Sequence, residues 1–373
     1  MAGRTAGPRS AVTLRDVAAR AAVSTATASR ALAGDTAISD PTRERVAEAA
    51  RALDYRPHAA ARSLRRRSTQ LLGVLVTTSG DAYAGEVVHG IELRARERGH
   101  QVLLAMSHVD GTREREAFEV FLYQRVDGII AVSPIGDGDT MSLPTRLGVP
   151  LVIINWDMAV PRKLIVRIAE GPTRGLTASL RRLAPDSGTH VRFDDTMGAE
   201  MATEHLRSLG HRRFAFVCGP PSRSSALRLL GFRRVLEGDG LWPQPVLQPD
   251  PTLHDREAVI SALLERSRPP IGIVAYDDLT AIAALHAAHR VGWTVPDQLS
   301  VVGLDDIELA EYTAPALTTV AQPMVELGEL SVDAVLGAAR RRTSDTLLGG
   351  KLIVRGTTAA ARNPRRTAAR AKR

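Results

Sequence analysis

From Gln70 onward, short apolar runs alternate with amphipathic helical stretches, and that rhythm restricts the fold more than any other feature of the chain. Leu71–Val76 is apolar on both faces, as a strand buried inside a parallel sheet must be. An amphipathic helix over Glu86–Glu97, stopped by Gly99, follows it. The spacing then predicts a strand at Val102–Ala105, a helix at Arg113–Gln124, and strands at Gly128–Val132 and Val149–Asn155. The rhythm restarts near His211, with strands at Phe214–Cys218, Ile271–Ala275, Leu299–Gly303 and Lys351–Val354. Helices over Arg223–Glu237, Asp255–Glu265, Asp278–Arg290 and Val325–Arg341 lie between them. Parallel neighbours require crossover helices, so each cycle makes an open sheet covered on both faces. Two cycles make two lobes with a cleft, and ligands of such sheets bind beyond the carboxyl ends of the strands.

The segment ahead of the lobes has a different texture. In Thr13–Leu32, Leu14, Val17, Ala18 and Ala21 repeat at helical spacing. Thr13 and Asp16 have the spacing of a capping box. Ser24 can cap a second helix whose Ala28, Ala31 and Leu32 face inward. Thr25, Ala26, Ser29 and Arg30 then face outward, which is a helix-turn-helix arrangement. Ser39 or Asp40 caps a third helix with Pro41 in its first turn and Val46, Ala49, Ala50 and Leu53 as its apolar stripe. The stretch from His58 to Arg67 has helix propensity but little apolar face, so it needs a partner to hold it folded.

Charge separates the same regions. Residues 1–69 carry 13 Arg against 6 acids, and residues 360–373 carry 5 Arg and 1 Lys with no acid. Of the chain's net +8, residues 70–359 therefore hold −5. A basic head and tail on an acidic body is the pattern of a polyanion-binding module joined to something else. The single cysteine, Cys218, excludes a disulfide framework and reads as a buried strand residue. No apolar run is long enough to span a membrane and the N-terminus has no signal-peptide core, so the expected location is cytoplasmic.

The order of helix-turn-helix, third helix, Tyr-x-Pro, basic hinge and two α/β lobes resembles the LacI/GalR family of bacterial transcriptional repressors. The residues that carry the likeness in the head are Thr13-Leu-Arg-Asp-Val-Ala18, Val23 to Arg30, Thr42-Arg-Glu-Arg-Val46 and Tyr55-Arg-Pro57. In the lobes they are Arg125-Val-Asp-Gly-Ile-Ile130, Glu204-His-Leu206, Leu209 to Arg213, Val295 to Asp306, Leu317 to Pro323 and Leu327-Gly328. The resemblance implies an all-α helix-turn-helix head plus an α/β two-lobed core like that of periplasmic binding proteins. The expected layout is a disordered basic N-terminus (1–12), a DNA-binding domain (13–57), a hinge (58–69), a core (70–358) and a disordered basic tail (359–373). Within the core, an N-lobe is expected at about 70–210 and 322–350, and a C-lobe at about 211–321 and 351–358.

Carried over by position, the likeness assigns Thr25 and Ala26 to base specificity and Arg30 to reading a base, where Arg suits guanine and a small apolar group suits a thymine methyl. It assigns Ser24, Thr27 and Ser29 to phosphates. His58, Ala61, Leu64 and Arg65 become hinge contacts, with Leu64 as the minor-groove wedge. Asp81, Tyr83, Val87, Ser224, Arg228, Asp277 and Asp305 become effector-cleft residues. Trp156 and Trp293, like Tyr83, are candidates to stack on a sugar face. The implied activity is operator-specific repression of transcription, controlled by a small effector, a sugar or sugar derivative. The implied partners are a pseudo-palindromic duplex and a second copy or three further copies of the chain, with no cofactor, metal or membrane.

The chain departs from the family pattern at several points. Ala22 stands where the turn usually has Gly, His58 and Asp277 where Asn is common, and Ala199 where Gly is usual. Residues 158–189 are longer than the family's connection and rich in Arg, and are either an insertion with its own helix at Thr173–Leu183 or a loop. A regulator of the same family without sugar sensing is thus an alternative, and a sugar-binding protein or sugar enzyme is another. No phosphate-cradling loop, Ser/His/Asp signature or metal-ligand cluster supports the enzyme, although Asp277-Asp278 and Asp305-Asp306 could mimic paired catalytic carboxylates. His286 and His289 read as surface residues.

Overall fold

The computed structural model describes residues 12–55, 68–78, 82–157, 160–172, 176, 180, 188–250, 252–337 and 345–361. The expected hinge contacts His58, Ala61, Leu64 and Arg65, the cleft residue Asp81, and most of the expected helix at Thr173–Leu183 lie outside them. The chain divides into two compact units, residues 1–69 and 70–373.

In the first unit, α1 (Leu14–Arg20), α2 (Thr25–Leu32) and α3 (Asp40–Ala52) enclose Val17, Ala18, Ala21, Ala28, Ala31, Val46, Ala49 and Ala50. The alanine content lets these short helices approach closely. Thr13 and Asp16 form the capping box, with the Thr13 N–H donating to Asp16 Oδ2 at 2.8 Å. Ser24 Oγ accepts the Thr27 N–H at 3.0 Å. Ser39 holds the N-cap position of α3, but its hydroxyl bonds Thr42 Oγ1 instead of a backbone amide.

Helix α1 ends in a Schellman turn. The Val23 N–H reaches Ala18 O at 3.0 Å and the Ala22 N–H reaches Ala19 O at 3.2 Å. Ala22 sits at the left-handed position with φ +53°, so the turn is made without the usual Gly, at a steric cost.

The second unit contains two sheets. Its elements in chain order are β1 (Leu71–Val76), α4 (Ala82–Glu97), β2 (Gln101–Met106), α5 (Gly111–Tyr123), β3 (Gly128–Val132), α6 (Gly138–Arg146), β4 (Leu151–Ile154), α7 (Arg162–Glu170) and β5 (Thr189–Phe193). These are followed by α8 (Asp195–Ser208), β6 (Phe214–Val217), α9 (Arg223–Gly238), β7 (Val246–Leu247), α10 (Leu253–Arg266), β8 (Ile271–Ala275), α11 (Asp278–Arg290), β9 (Leu299–Asp305) and α12 (Leu309–Tyr312). The last are β10 (Thr318–Ala321), α13 (Met324–Gly337), β11 (Thr346–Leu348) and β12 (Lys351–Ile353).

The N-lobe sheet has the order β11-β5-β4-β3-β1-β2 and is parallel throughout. The C-lobe sheet, β12-β10-β9-β8-β6-β7, is parallel except where β12 runs against β10. Each sheet is buried on both faces, as expected from its uninterrupted apolar strands. Late elements return to close the N-lobe: α13 lies along α4 so tightly that a Cβ on Gly90 would meet Val325 O at 2.2 Å and one on Gly328 would meet Val87 O at 2.3 Å. That contact is why the Leu327-Gly328 pair is needed where it is.

Three expectations change. Helix α8 packs on α9 and on the C-lobe strands, so it belongs to the C-lobe and the first stretch of the N-lobe does not extend to residue 210. Residues 359–361 belong to the core, with the Ala361 N–H donating to Leu209 O at 2.8 Å, so any tail begins beyond them. The long connection after β4 contains a helix, α7, ahead of the stretch where one was expected, and Leu176 and Leu180 are buried with it.

Candidate nucleic-acid interface and interlobe cleft

Helix α2 turns its buried Ala28 and Ala31 inward and leaves Thr25, Ala26 and Arg30 exposed, with Ser29 half-buried. Its first turn carries the Ser24 cap, and Ser24 Oγ also shares a hydrogen with Thr27 Oγ1 at 2.8 Å. Amides at this helix start, together with the two hydroxyls, suit phosphate oxygens. Arg30 is pre-positioned because its Nε donates to Asp35 Oδ2 at 2.7 Å. That bond holds the Asp35 carboxyl below its ordinary range. The pairing uses Nε, and the Nη edge of a guanidinium is suited to the two acceptors of guanine.

The candidate cleft residues lie near the carboxyl ends of strands: Asp157 follows β4, Asp195 opens α8 after β5, Asp305 ends β9, and Ser224 and Arg228 lie on the first two turns of α9. Arg228, on the second turn of α9, is 5% exposed. Its Nε donates to Asp195 Oδ1 at 2.8 Å, its Nη1 donates to Tyr276 O, and its guanidinium lies 4.6 Å over the Tyr276 ring. Asp305 Oδ1 is 3.8 Å from Nη1 and accepts Gln322 Nε2 at 2.6 Å. The Asp305 backbone has φ +130°, a strained conformation of the kind that collects at ligand sites. Ser224 presents its N–H to Asp157 Oδ1 at 2.8 Å, a hydrogen bond across the lobes. Burial pushes the Asp157 carboxyl and the Tyr276 phenol upward from their ordinary values.

Of the residues assigned to the effector, Ser224, Arg228 and Asp305 come together here, while Asp81 lies outside the described residues. Tyr83 is buried, and its Oη accepts from Asn155 Nδ2 at 2.6 Å. Asn155 Oδ1 in turn accepts the Phe193 N–H at 2.8 Å, tying the end of β4 to the lobe crossing. Val87 is fully buried in the N-lobe core against α13, so the expectation that it lines the cleft does not hold in this arrangement. Asp277 caps α11 through the Thr280 N–H at 2.6 Å and pairs with Arg256 Nη1 at 3.1 Å. Trp156 packs in the N-lobe core with its Nε1 on Gly136 O at 3.3 Å. The likeness places the family's Asp-Asn pair of the sugar pocket at Asp194-Asp195, and Asp195 is found here; sequence reasoning did not single out Asp157, Tyr276 or Gln322 for the cleft. Their partners are distant in the chain, and no local spacing points to them.

Asp278 is buried, accepts Thr319 Oγ1 at 2.5 Å and the Ile307 N–H at 3.0 Å, and burial pushes its carboxyl up to about 6. Asp306 pairs with Arg355 at 2.7 Å. Asp277, Asp278 and Asp306 are thus engaged in holding loops and caps. His286 and His289 are exposed, His286 beside Glu257 at 2.9 Å. No helix among the described residues is long and apolar enough to cross a membrane.

Comparison with known proteins agrees with this geometry. Residues 13–58 match the model of bacterial regulatory proteins of the lacI family, and residues 203–358 match that of the periplasmic binding protein-like domain. The HTH-type transcriptional regulator DegA of Bacillus subtilis (strain 168) is 32% identical over 346 residues, covering 91% of this chain and 92% of DegA. The lac repressor dimer bound to operator and the anti-inducer ONPF superposes with TM-score 0.79 at 28% identity, covering 94% of this chain and 100% of the other. The complex of the transcriptional regulator CelR with cellobiose superposes at 0.65 with 27% identity, covering 93% and 99%. With its helix-turn-helix head, its two-sheet core and these relatives, the chain belongs to the lacI family of bacterial regulatory proteins.

Proposed function

We propose that the protein is a cytoplasmic transcriptional repressor that binds a pseudo-palindromic operator as a homodimer and is controlled by a small effector bound between the core lobes. The observation that carries it is the exposed set Thr25, Ala26 and Arg30 on a capped helix seated on a buried alanine seam. Exposed apolar side chains on both lobes, Leu104 and Met106 on the edge strand β2 and Leu253, Leu309 and Tyr312 on the C-lobe, support a second copy as a partner. A sugar or sugar derivative is the favoured effector, because Arg228 flanked by Asp195 and Asp305 can engage neighbouring hydroxyls in fixed directions. The lac repressor and CelR complexes, which hold ONPF and cellobiose, support that class. A regulatory role, as opposed to an enzymatic one, is supported by the structural bonds that occupy Asp277, Asp278 and Asp306.

A second reading, a family member that does not sense a sugar, is favoured by the Tyr276 ring lying on Arg228. The deciding experiment selects bound duplexes from a random library and then adds a panel of sugars. A palindromic consensus whose binding weakens steeply with salt supports the repressor; no binding to any duplex at low salt refutes it. Release by no sugar in the panel favours the second reading.

A further inference from the structure

Strands β4 and β5 are neighbours in the N-lobe sheet, with Val152 opposite Thr189 and Ile154 opposite Val191. The chain between them nevertheless crosses to the other lobe. At its start the Asp157 carboxyl accepts the N–H of Ser224 in the first turn of α9, and the Val160 N–H donates to Pro221 O at 2.9 Å. Helix α7 then buries Ile165 and Ile168 in a cluster with Leu229, Phe232 and Leu236 of α9. Leu176 and Leu180 lie in the same cluster. Arg233 of α9, 7% exposed, closes the end of α7 by donating to Ile168 O and, at 2.6 Å, to Gly171 O, and its guanidinium lies 5.0 Å over Trp242. Arg162 pairs with Asp250 at 2.6 Å. The segment is rooted in the N-lobe and docked as part of the C-lobe core.

We propose that Asp157 and the docked segment Val160–Gly171 form a built-in latch that holds the two lobes together without any ligand. Separation of the lobes about their crossings requires Asp157 to leave Ser224 and the segment to pull away from α9. Apolar burial and carbonyl capping oppose the second step, and loss of a buried hydrogen bond opposes the first. An effector entering the cleft therefore acts against a contact the chain makes with itself. The latch concerns the core alone and stands or falls independently of operator or effector.

The test measures the distance between lobes in the full-length chain by single-molecule energy transfer, with dyes on Arg96→Cys and Glu265→Cys. Cys218 is buried and its thiol is pushed up to about 12, so it stays unlabelled. Without ligand, the latched chain gives one short-distance population. Asp157→Ala shifts it to longer distances, Asp157→Asn keeps the acceptor oxygen and the short distance, and Ile165→Ala with Ile168→Ala reproduces the shift through the docked face. Circular dichroism reports whether each variant is folded; if Asp157→Ala is not, the double alanine variant decides. A long-distance population in the unaltered chain, or folded latch variants with unchanged distances, overturns the proposal. Because no DNA or sugar is present, neither result touches the repressor reading.

Discussion

Arg228 donates from Nε to Asp195 Oδ1 at 2.8 Å, and the two side chains are 6% and 4% exposed. The pair joins the start of α8 to the second turn of α9 inside the cleft. Truncation by Arg228→Ala strands a buried carboxylate, and the expected loss is about 3–5 kcal/mol of unfolding free energy, read from urea midpoints. Arg228→Lys keeps the charge but loses the planar fork, so it should recover part of the stability and none of the ligand geometry. Unchanged midpoints in the Ala variant would show that the pair contributes nothing.

Asp278 gives the core a pH dependence of defined sign. Burial raises its carboxyl from 3.8 to about 6 in the folded chain. Between those values the unfolded chain has released the proton and the native chain still holds it, so stability falls as pH rises through this window. Below it both states are protonated, and above it the loss is complete. Asp278→Asn, measured beside the unaltered chain from pH 4 to 7, should remove that component of the slope. Parallel curves for the two proteins would contradict it.

Ala22 stands at φ +53° in the turn of the head. Ala22→Gly relieves a left-handed alanine and should stabilise the head by about 1 kcal/mol. Slower amide exchange at Val17 and Val46 in the full-length chain would register the gain; faster exchange would mean that backbone entropy outweighs the strain.

Arg30 and Asp35 separate contact from positioning in the reading head. Arg30→Ala should relax selectivity at one base position per half-site by about 1–3 kcal/mol. Asp35→Ala leaves the guanidinium in place but unheld, so a smaller loss at the same position is expected. Selection of bound sequences with each variant distinguishes these outcomes, and an unaltered consensus in both would move the reading face elsewhere.

Gly328 lies where α13 meets α4 backbone to backbone. Gly328→Ala places a Cβ 2.3 Å from Val87 O, which forces the helices apart. Overpacking of this kind costs about 1–3 kcal/mol, measured as a lower melting temperature. Gly337→Ala, near the end of the same helix and with open space around the new Cβ, is the control.

Much of the fold was legible because its signals are local. Thr13, Asp16 and Ser24 cap their helices through atoms three residues away, and the spacing alone exposes them. Strands such as Gly128–Val132 and Ile271–Ala275 declare themselves by unbroken apolar runs. Short or polar elements were missed: β7 has two residues, β11 has three, and β5 reads Thr-His-Val-Arg-Phe. Such strands are defined by the partner they pair with.

By itself, then, the sequence determined the capped reading helix, the alternation that demands two covered parallel sheets, and the family likeness that orders them. Only the tertiary structure decided which lobe α8 joins, that Val87 is core and not cleft, and that Asp195, Tyr276 and Asp157 converge around Arg228 and Ser224. The reason is physical: capping and periodicity act over a few residues. Burial of an arginine or docking of the α7 segment depends on groups brought together from far along the chain, and no stretch of sequence carries that information alone.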